Sequence, residues 1–113
     1  IELALEAGCR WLKFFPAGAA GGTAMLRSLY TPFAHLDIKF VPLGGITLDN
    51  LTDYLALPCV GAVGGSWLVD PNVVKAGHWT ELTRRAREAS VRAAGVGAGL
   101  SPAARSGTKM HPA

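Results

Sequence analysis

Three short apolar runs, each ending at glycine or proline and followed by a helical pattern, most constrain what this chain can fold into. The runs span residues 10–15, 40–43 and 60–63. Strands that alternate with helices are typical of βαβ units, whose strands are parallel. The sequence therefore predicts an α/β fold with a parallel sheet. In barrels built from parallel strands, the loops after the strands carry the active site. We therefore expect functional residues in the loops that follow these runs.

Helical signals fill the segments between these runs. The predicted helical segments are residues 1–8 ending at Gly8, residues 22–30 stopped by Pro32, residues 48–55 with Thr47 as N-cap, a turn over residues 66–69 broken by Pro71, and residues 78–93. Residues 95–113 show no periodicity and few large side chains. The sequence therefore predicts a folded domain over residues 1–94 and a disordered tail over residues 95–113.

Lys13 lies within the first apolar run, among aromatic residues. Successive side chains of a strand point to opposite faces, so Trp11, Lys13 and Phe15 share one face. We expect this lysine to lose hydration, which disfavours its charged form, and a neutral amine forms Schiff bases with ketones. The alternative is a structural lysine whose ammonium group extends from an edge strand into solvent.

Two glycine pairs, Gly44-Gly45 and Gly64-Gly65, end the second and third runs. Each pair precedes a predicted helix. Free backbone N–H groups at a helix start suit a phosphate dianion, and glycine lets the ligand approach closely. The alternative is a pair of turns that need a positive φ. Because both pairs end consecutive strands downstream of Lys13, the pattern favours phosphate binding.

Charge and residue types argue against several other function classes. The net charge is +3, but residues 1–94 carry nine basic and eight acidic side chains, and the arginines of the last helix are spaced to pair with glutamates. Basic and aromatic residues are not interleaved as in a nucleic-acid groove, and no apolar run is long enough to span a membrane. Cys9 and Cys59 are predicted to pack as small apolar side chains, and no metal site is indicated.

Three motifs in register give the chain a resemblance to a known family. They are Leu12-Lys13-Phe14-Phe15-Pro16-Ala17 followed by Gly21-Gly22, then Pro42-Leu43-Gly44-Gly45-Ile46, then Gly64-Gly65-Ser66-Trp67-Leu68. Over residues 1–93 the chain resembles the C-terminal half of the 2-keto-3-deoxy-6-phosphogluconate (KDPG) and 4-hydroxy-2-oxoglutarate (KHG) aldolases. The resemblance implies a class I, Schiff-base aldolase on a (β/α)8 barrel.

The resemblance also assigns site residues. It implies that Lys13 is the Schiff-base nucleophile, that Phe15 and Pro16 line the pocket beside the imine, and that substrate and its phosphate are bound by Gly44, Gly45, Gly65 and Ser66. The implied reaction cleaves a phosphorylated keto acid to pyruvate and glyceraldehyde 3-phosphate. The implied protein is a cytoplasmic homotrimer that needs no cofactor and no metal, and has no nucleic-acid or membrane partner.

The chain is shorter than the implied fold. It has 113 residues and opens at Ile1, whereas a (β/α)8 barrel has about 200–250. We therefore expect an incomplete barrel, inactive alone, whose acid/base glutamate and carboxylate-binding arginine lie on earlier strands. Leu43 stands where many KDPG aldolases carry threonine, so the aldolase for the galactonate epimer is one alternative. A catalytically inactive barrel fragment is another. A phosphosugar isomerase or thiamine-phosphate synthase barrel is disfavoured, because it has no need of Lys13.

Overall fold

The computed structural model of the chain describes residues 1–99. Helices and parallel strands alternate along it, as the sequence predicts. In chain order the elements are α1 (Glu2–Glu6), β1 (Trp11–Phe14), α2 (Gly22–Tyr30), a 3₁₀ turn (Thr31–Phe33), β2 (Lys39–Pro42), α3 (Leu51–Leu55), a 3₁₀ turn (Ser66–Leu68), α4 (Pro71–Lys75) and α5 (Trp79–Gly99).

The sheet of the described residues consists of β1 and β2, which pair in parallel. The register runs from Trp11 opposite Lys39 to Phe14 opposite Pro42 without a bulge. Alternate residues are buried in both strands, so each strand has one core-facing side. Helix α2 connects the strands, which confirms the βαβ unit predicted from the first two runs.

The third predicted strand, over residues 60–63, is wrong. The segment touches the sheet through a single parallel bridge between Phe40 and Val60. At this bridge the Phe40 N–H donates to the Cys59 carbonyl at 2.7 Å, and the Phe40 carbonyl accepts from the Gly61 N–H at 3.0 Å. The segment therefore lies beside β2 on the side away from β1, where a third strand would lie.

Pro42 explains why this pairing stops. A regular parallel ladder would next take an N–H from position 42 to the Gly61 carbonyl, and proline has no N–H to donate. The Pro42 carbonyl accepts instead from the Gly64 N–H at 3.2 Å, one residue later than a regular register would give. The third apolar run is therefore a bulged extension of the sheet.

Helix α3 begins at Leu51, three residues later than the sequence predicts. The residue before it is Asn50, so Thr47 is not its N-cap. The Asn50 side chain accepts the Thr47 N–H at 2.8 Å, and this bond holds the intervening residues in turns. The helix therefore starts one turn further from the glycine pair than expected.

Pro71 begins a helix rather than ending one. It occupies the first position of α4, where its missing N–H costs nothing. The carboxylate of Asp70 accepts the Asn72 N–H at 2.8 Å and caps the helix. Asp70-Pro71 is therefore a helix start, and the break predicted at Pro71 is wrong.

Helix α5 extends to Gly99, so the predicted tail is wrong for residues 95–99. Ala89 and Ala93 pack against the core, and a helix anchored in this way adds further residues at little cost. The remainder of the predicted tail, residues 100–113, lies outside the described residues. No helix within residues 1–99 is long and apolar enough to cross a membrane.

The core lies between the sheet and the helices. Leu26 of α2 is fully buried, whereas Met25 and Leu29 of the same helix are 43% and 38% exposed. Cys59 is buried as predicted, and its burial raises the pKa of the thiol, but Cys9 is exposed. The buried apolar side chains are Leu12, Phe14, Ala17, Leu26, Ile38, Phe40, Ile46, Leu51, Tyr54, Leu57, Cys59 and Val60.

Two arginines of α5, Arg84 and Arg85, form the predicted ion pairs with glutamates on its surface. Arg84 pairs with Glu81 at 2.9 Å and with Glu88 at 3.0 Å, and Arg85 pairs with Glu81 at 2.8 Å. Hydrogen bonds from Arg84 and then Arg85 lower the pKa of Glu81 to about 2. These charges therefore belong to a solvated, ion-paired helix face.

We expect Leu26→Ala to lower the free energy of unfolding by about 2–5 kcal/mol, because it removes a fully buried side chain and leaves a cavity. Leu29→Ala, on the same helix but partly exposed, should cost much less. Urea denaturation followed by circular dichroism measures both variants. Equal losses would show that α2 does not pack against the sheet as described.

Candidate active site

The pairing of β1 and β2 continues past the ends of both strands. The Leu43 N–H donates to the Phe14 carbonyl at 2.9 Å, and the Ala17 N–H donates to the Leu43 carbonyl at 2.7 Å. The Gly18 N–H then donates to the Gly44 carbonyl at 3.0 Å. These bonds hold the segment after β1 against the segment after β2. The first glycine pair is thereby fixed next to the end of the strand that carries the lysine.

A cleft of about 340 Å³ opens at this end of the sheet. Two loops contribute to it, which we name glycine loop 1 (residues 43–48) and glycine loop 2 (residues 64–68). The residues that line the cleft are Lys13, Phe15, Leu43, Gly44, Gly45, Gly65 and Ser66. The structure therefore brings together all the predicted site residues except Pro16.

Pro16 lies directly beside the cleft. It follows Phe15 through a cis peptide bond. An ideal Cβ at Gly44 would lie 3.0 Å from the Pro16 Cα and 3.1 Å from the Phe15 ring. Pro16 therefore backs the wall that Phe15 and glycine loop 1 form together.

Lys13 is exposed, so the predicted loss of hydration is wrong for the described residues. Its Nζ lies 4.8 Å from the centroid of the Phe15 ring, a cation–π distance. Trp11 and Phe15, on the same face, are 60% and 61% exposed. Within residues 1–99 no strand pairs with the edge of β1 away from β2, and the side chains on this face are exposed. The predicted sharing of one face by these three residues is confirmed.

The two glycine pairs differ in why they need glycine. Gly44 and Gly45 have φ of +90° and +76°, so the first pair forms a turn that other residues rarely adopt. Gly65 is extended, and the turn interpretation is wrong there. A Cβ at Gly65 would collide with the Trp67 ring and lie 2.9 Å from the Ile46 carbonyl oxygen. Glycine at 65 therefore lets glycine loop 2 lie directly against glycine loop 1.

Three backbone donors of the cleft are unused. Within residues 1–99, the N–H groups of Gly45, Gly65 and Ser66 donate to no acceptor. Converging N–H groups at a solvent-facing cleft form a suitable site for an anion. Such donors on both loops suit a ligand that spans them.

Asn50 is a residue of this site that the sequence analysis missed. Its side-chain amide donates to the Gly45 carbonyl at 2.8 Å and accepts from the Thr47 N–H at 2.8 Å. It therefore fixes the turn of glycine loop 1 from behind. The available signal was a polar side chain three residues after Thr47, the spacing at which a side chain accepts the N–H of the earlier residue.

Lys13 is the one titratable side chain among the residues that line the cleft. The four glutamates lie on α1 and α5, and none of them lines it. Within residues 1–99, no three His, Cys, Asp or Glu side chains are grouped to hold a metal ion. A larger cavity of about 410 Å³ lies between α5 and residues 61–63, but apolar residues and Ser90 line it. The cleft thus offers an amine and backbone N–H groups that have no acceptor among the described residues.

Comparisons with known proteins agree with one another. The family model of the KDPG and KHG aldolases matches residues 1–85. A 2-dehydro-3-deoxy-phosphogluconate aldolase of Haemophilus influenzae is 48% identical over 88 residues, which are 78% of this chain and 41% of that protein. The chain therefore spans about two fifths of the length of this relative.

Solved structures give the same result. A KDPG aldolase from Legionella pneumophila, with pyruvate captured as a covalent carbinolamine intermediate, aligns with a TM-score of 0.69 at 42% identity, over 74% of this chain and 39% of that one. The 2-keto-3-deoxy-6-phosphogluconate aldolase of Zymomonas mobilis with 3-phosphoglycerate aligns with a TM-score of 0.67 at 38% identity, over 80% and 41% of the two chains.

We expect Gly44→Ala to destabilise the chain more than Gly8→Ala. Both positions have positive φ, where a side chain costs about 1–2 kcal/mol. A Cβ at Gly8 has no neighbour within 4 Å, whereas at Gly44 it would crowd Phe15 and Pro16. Urea denaturation of both variants isolates this crowding from backbone strain. Equal destabilisation would show that Gly44 does not contact the Phe15–Pro16 wall.

Proposed function

We propose that this chain, which belongs to the KDPG and KHG aldolase family, supplies the Schiff-base lysine of an aldolase that cleaves a phosphorylated 2-keto-3-deoxy sugar acid. Lys13 is the proposed nucleophile. The observation that carries the proposal is the cleft, where one primary amine meets two glycine loops with unused N–H groups. The relative from Legionella holds pyruvate as a carbinolamine, which is the adduct of an amine with a ketone.

The proposed reaction proceeds through an imine. The Lys13 amine adds to the C2 ketone of 2-keto-3-deoxy-6-phosphogluconate to form a carbinolamine, and uptake of one proton with loss of water gives a protonated imine. The imine accepts the electron pair of the C3–C4 bond as the C4 hydroxyl loses its proton. Glyceraldehyde 3-phosphate leaves, and a pyruvyl enamine remains. Protonation of the enamine at C3 and hydrolysis release pyruvate and the free amine. Because the imine is the electron sink, this chemistry requires no metal and no organic cofactor.

The glycine loops are the proposed phosphate site. Gly45, Gly65 and Ser66 each offer a free N–H at the cleft, and the Ser66 side chain is exposed there. Phe15 and Pro16 are the proposed wall beside the imine, with Gly44 completing the substrate pocket. A relative solved with 3-phosphoglycerate supports a phosphorylated ligand in this family.

The remaining catalytic groups are proposed to lie outside the described residues. The cleft lining contains no carboxylate and no arginine, and the chain spans about two fifths of the length of its relatives. We infer that a further segment completes a (β/α)8 barrel by pairing its strands with the free edge of β1. That segment would supply the acid/base glutamate and the carboxylate-binding arginine, so the chain alone should show little aldol cleavage. The homotrimer and the cytoplasmic location stay predictions.

Leu43 favours one alternative substrate. Its side chain lines the cleft, where it places an apolar group beside the glycine pair. By family resemblance an apolar residue here is found in aldolases for the galactonate epimer. Comparison of kcat/KM for the two epimers decides between the substrates.

An inactive barrel fragment is the other alternative, and detection of an imine at Lys13 argues against it.

We expect incubation with pyruvate and borohydride to add a reduced pyruvyl group to Lys13, because borohydride traps an imine as a stable amine. Peptide mass spectrometry locates the adduct. Lys13→Arg should abolish labelling, since a guanidinium forms no Schiff base. Lys39→Met is the matched control, because the Lys39 Nζ is held by the Pro58 carbonyl at 2.8 Å. Labelling at Lys39 or Lys75 in the wild type would contradict the assignment.

We expect Gly45→Val to raise KM for the phosphorylated substrate roughly tenfold or more. This factor corresponds to the loss of one hydrogen bond to a charged group. A side chain at this position blocks the approach of a phosphate to the backbone. The measurement is steady-state kinetics in a complete barrel that contains this chain. Cleavage of a non-phosphorylated keto acid should change much less. Equal losses on both substrates would indicate a folding role instead.

A further inference from the structure

Two arginines of α5 reach out of their helix to the backbone of the two glycine loops. The Arg85 Nη1 donates to the Trp67 carbonyl in glycine loop 2 at 2.7 Å. The Arg92 Nη1 donates to the Leu48 carbonyl at the end of glycine loop 1 at 2.9 Å. Seven residues are about two helical turns, so both arginines lie on the same side of α5.

From this arrangement we propose that Arg85 and Arg92 are positioning residues that hold the two glycine loops at the spacing required to bind a phosphate between them. The proposal rests on the proposed function, in which the free N–H groups of Gly45, Gly65 and Ser66 bind the substrate phosphate. Neither arginine lines the cleft, so both act through the loop backbone.

The partners of Arg85 fix its direction. Its Nε donates to the Glu81 carboxylate at 2.8 Å while Nη1 bonds the Trp67 carbonyl, so the planar guanidinium is held at two points. Its side chain is 24% exposed, less than that of any other arginine in the ion pairs. A bond that is partly shielded from water and charge-assisted restrains the loop more than a surface ion pair does.

Arg92 differs from the sequence expectation in a way that supports this role. The sequence predicts a pair with Glu88 on the same helix, but Arg92 crosses to the segment after β2 instead. There it also approaches the Asp49 carboxylate at 3.7 Å, although Asp49 is 94% exposed. The contact joins residues 44 positions apart in the chain. It therefore ties glycine loop 1 to the same helix that holds glycine loop 2.

Within residues 1–99 no backbone hydrogen bond joins the two loops, so their spacing depends on packing and on partners outside them. Glycine loop 2 lies against glycine loop 1 at Gly65, near the Ile46 carbonyl. The 3₁₀ turn that contains Trp67 spans three residues and has no side-chain cap. A short, uncapped turn is readily displaced. The bond from Arg85, which is anchored on the long helix α5, to the Trp67 carbonyl therefore sets the position of this turn.

The test uses the 113-residue chain with inorganic phosphate as the probe. Arg85→Met and Arg92→Met should raise the phosphate Kd, measured by calorimetry, roughly two- to thirtyfold, the range for residues that act through a coupled contact. Hydrogen exchange followed by mass spectrometry should accelerate over residues 64–69 in Arg85→Met and over residues 43–50 in Arg92→Met. Arg85→Lys should restore part of the affinity, because an ammonium reaches the carbonyl but lacks the planar fork.

Arg84→Met is the matched control, since Arg84 bonds only to Glu81 and Glu88 among the described residues and reaches neither loop. Its Kd and loop exchange should equal those of the wild type. Equal values in all the methionine variants would overturn the proposal. If Arg85→Met does not fold, the more exposed Arg92→Met decides by the same criteria.

The pyruvate–borohydride reaction separates this proposal from the proposed function. Labelling of Lys13 involves no phosphate and should be the same in every arginine variant. A wild-type chain that labels Lys13 but binds no phosphate would overturn the phosphate site and the role of the arginines, and would leave the Schiff-base assignment standing. Phosphate binding that is unchanged by any arginine variant would overturn the role of the arginines alone.

Discussion

The parallel pairing of β1 with β2 is the constraint on which the rest of the described structure depends. Its register sets Phe14 opposite Pro42, so both strands end at the same level. The backbone bonds that follow carry the pairing to Gly44 and hold glycine loop 1 beside the lysine-bearing strand. A slip of one residue would turn Lys13 to the buried side and remove the cleft. The buried Leu12 and Phe14 oppose such a slip, because they would become exposed.

The face that carries Lys13 is both the proposed functional face and an exposed face of the described sheet. Trp11 and Phe15 expose most of their surface beside the amine, whereas the opposite face of the same strand is buried. The Lys13 side chain is therefore exposed, and its Nζ lies 4.8 Å from the centroid of the Phe15 ring. An amine sheltered from water, as Schiff-base chemistry favours, requires cover from elements that add to this face. The chain spans about two fifths of the length of its relative, and the exposed face around Lys13 is where further elements would pack.

The cleft owes its shape to residues behind it as much as to those that line it. Asn50 bonds both sides of the turn at Gly45, and the arginines of α5 bond carbonyls in both glycine loops. Glycine supplies the conformational freedom and the close approach, and it supplies no rigidity of its own. Polar side chains from α5 and from the turn before α3 compensate for this. The geometry of a cleft built on glycine thus depends on residues outside it.

The sequence by itself determined the features that depend on local spacing. Strand alternation placed Trp11, Lys13 and Phe15 on one face, helical periodicity located α2 and most of α5, and the three motifs identified the family. Tertiary structure decided what depends on distant neighbours. The third apolar run joins the sheet at a single bridge because Pro42 has no N–H for the next ladder bond. Lys13 is exposed because none of the described elements covers its face. Arg92 bonds a carbonyl 44 residues away rather than the glutamate on its own helix, since a partner brought close by folding leaves no trace in local spacing.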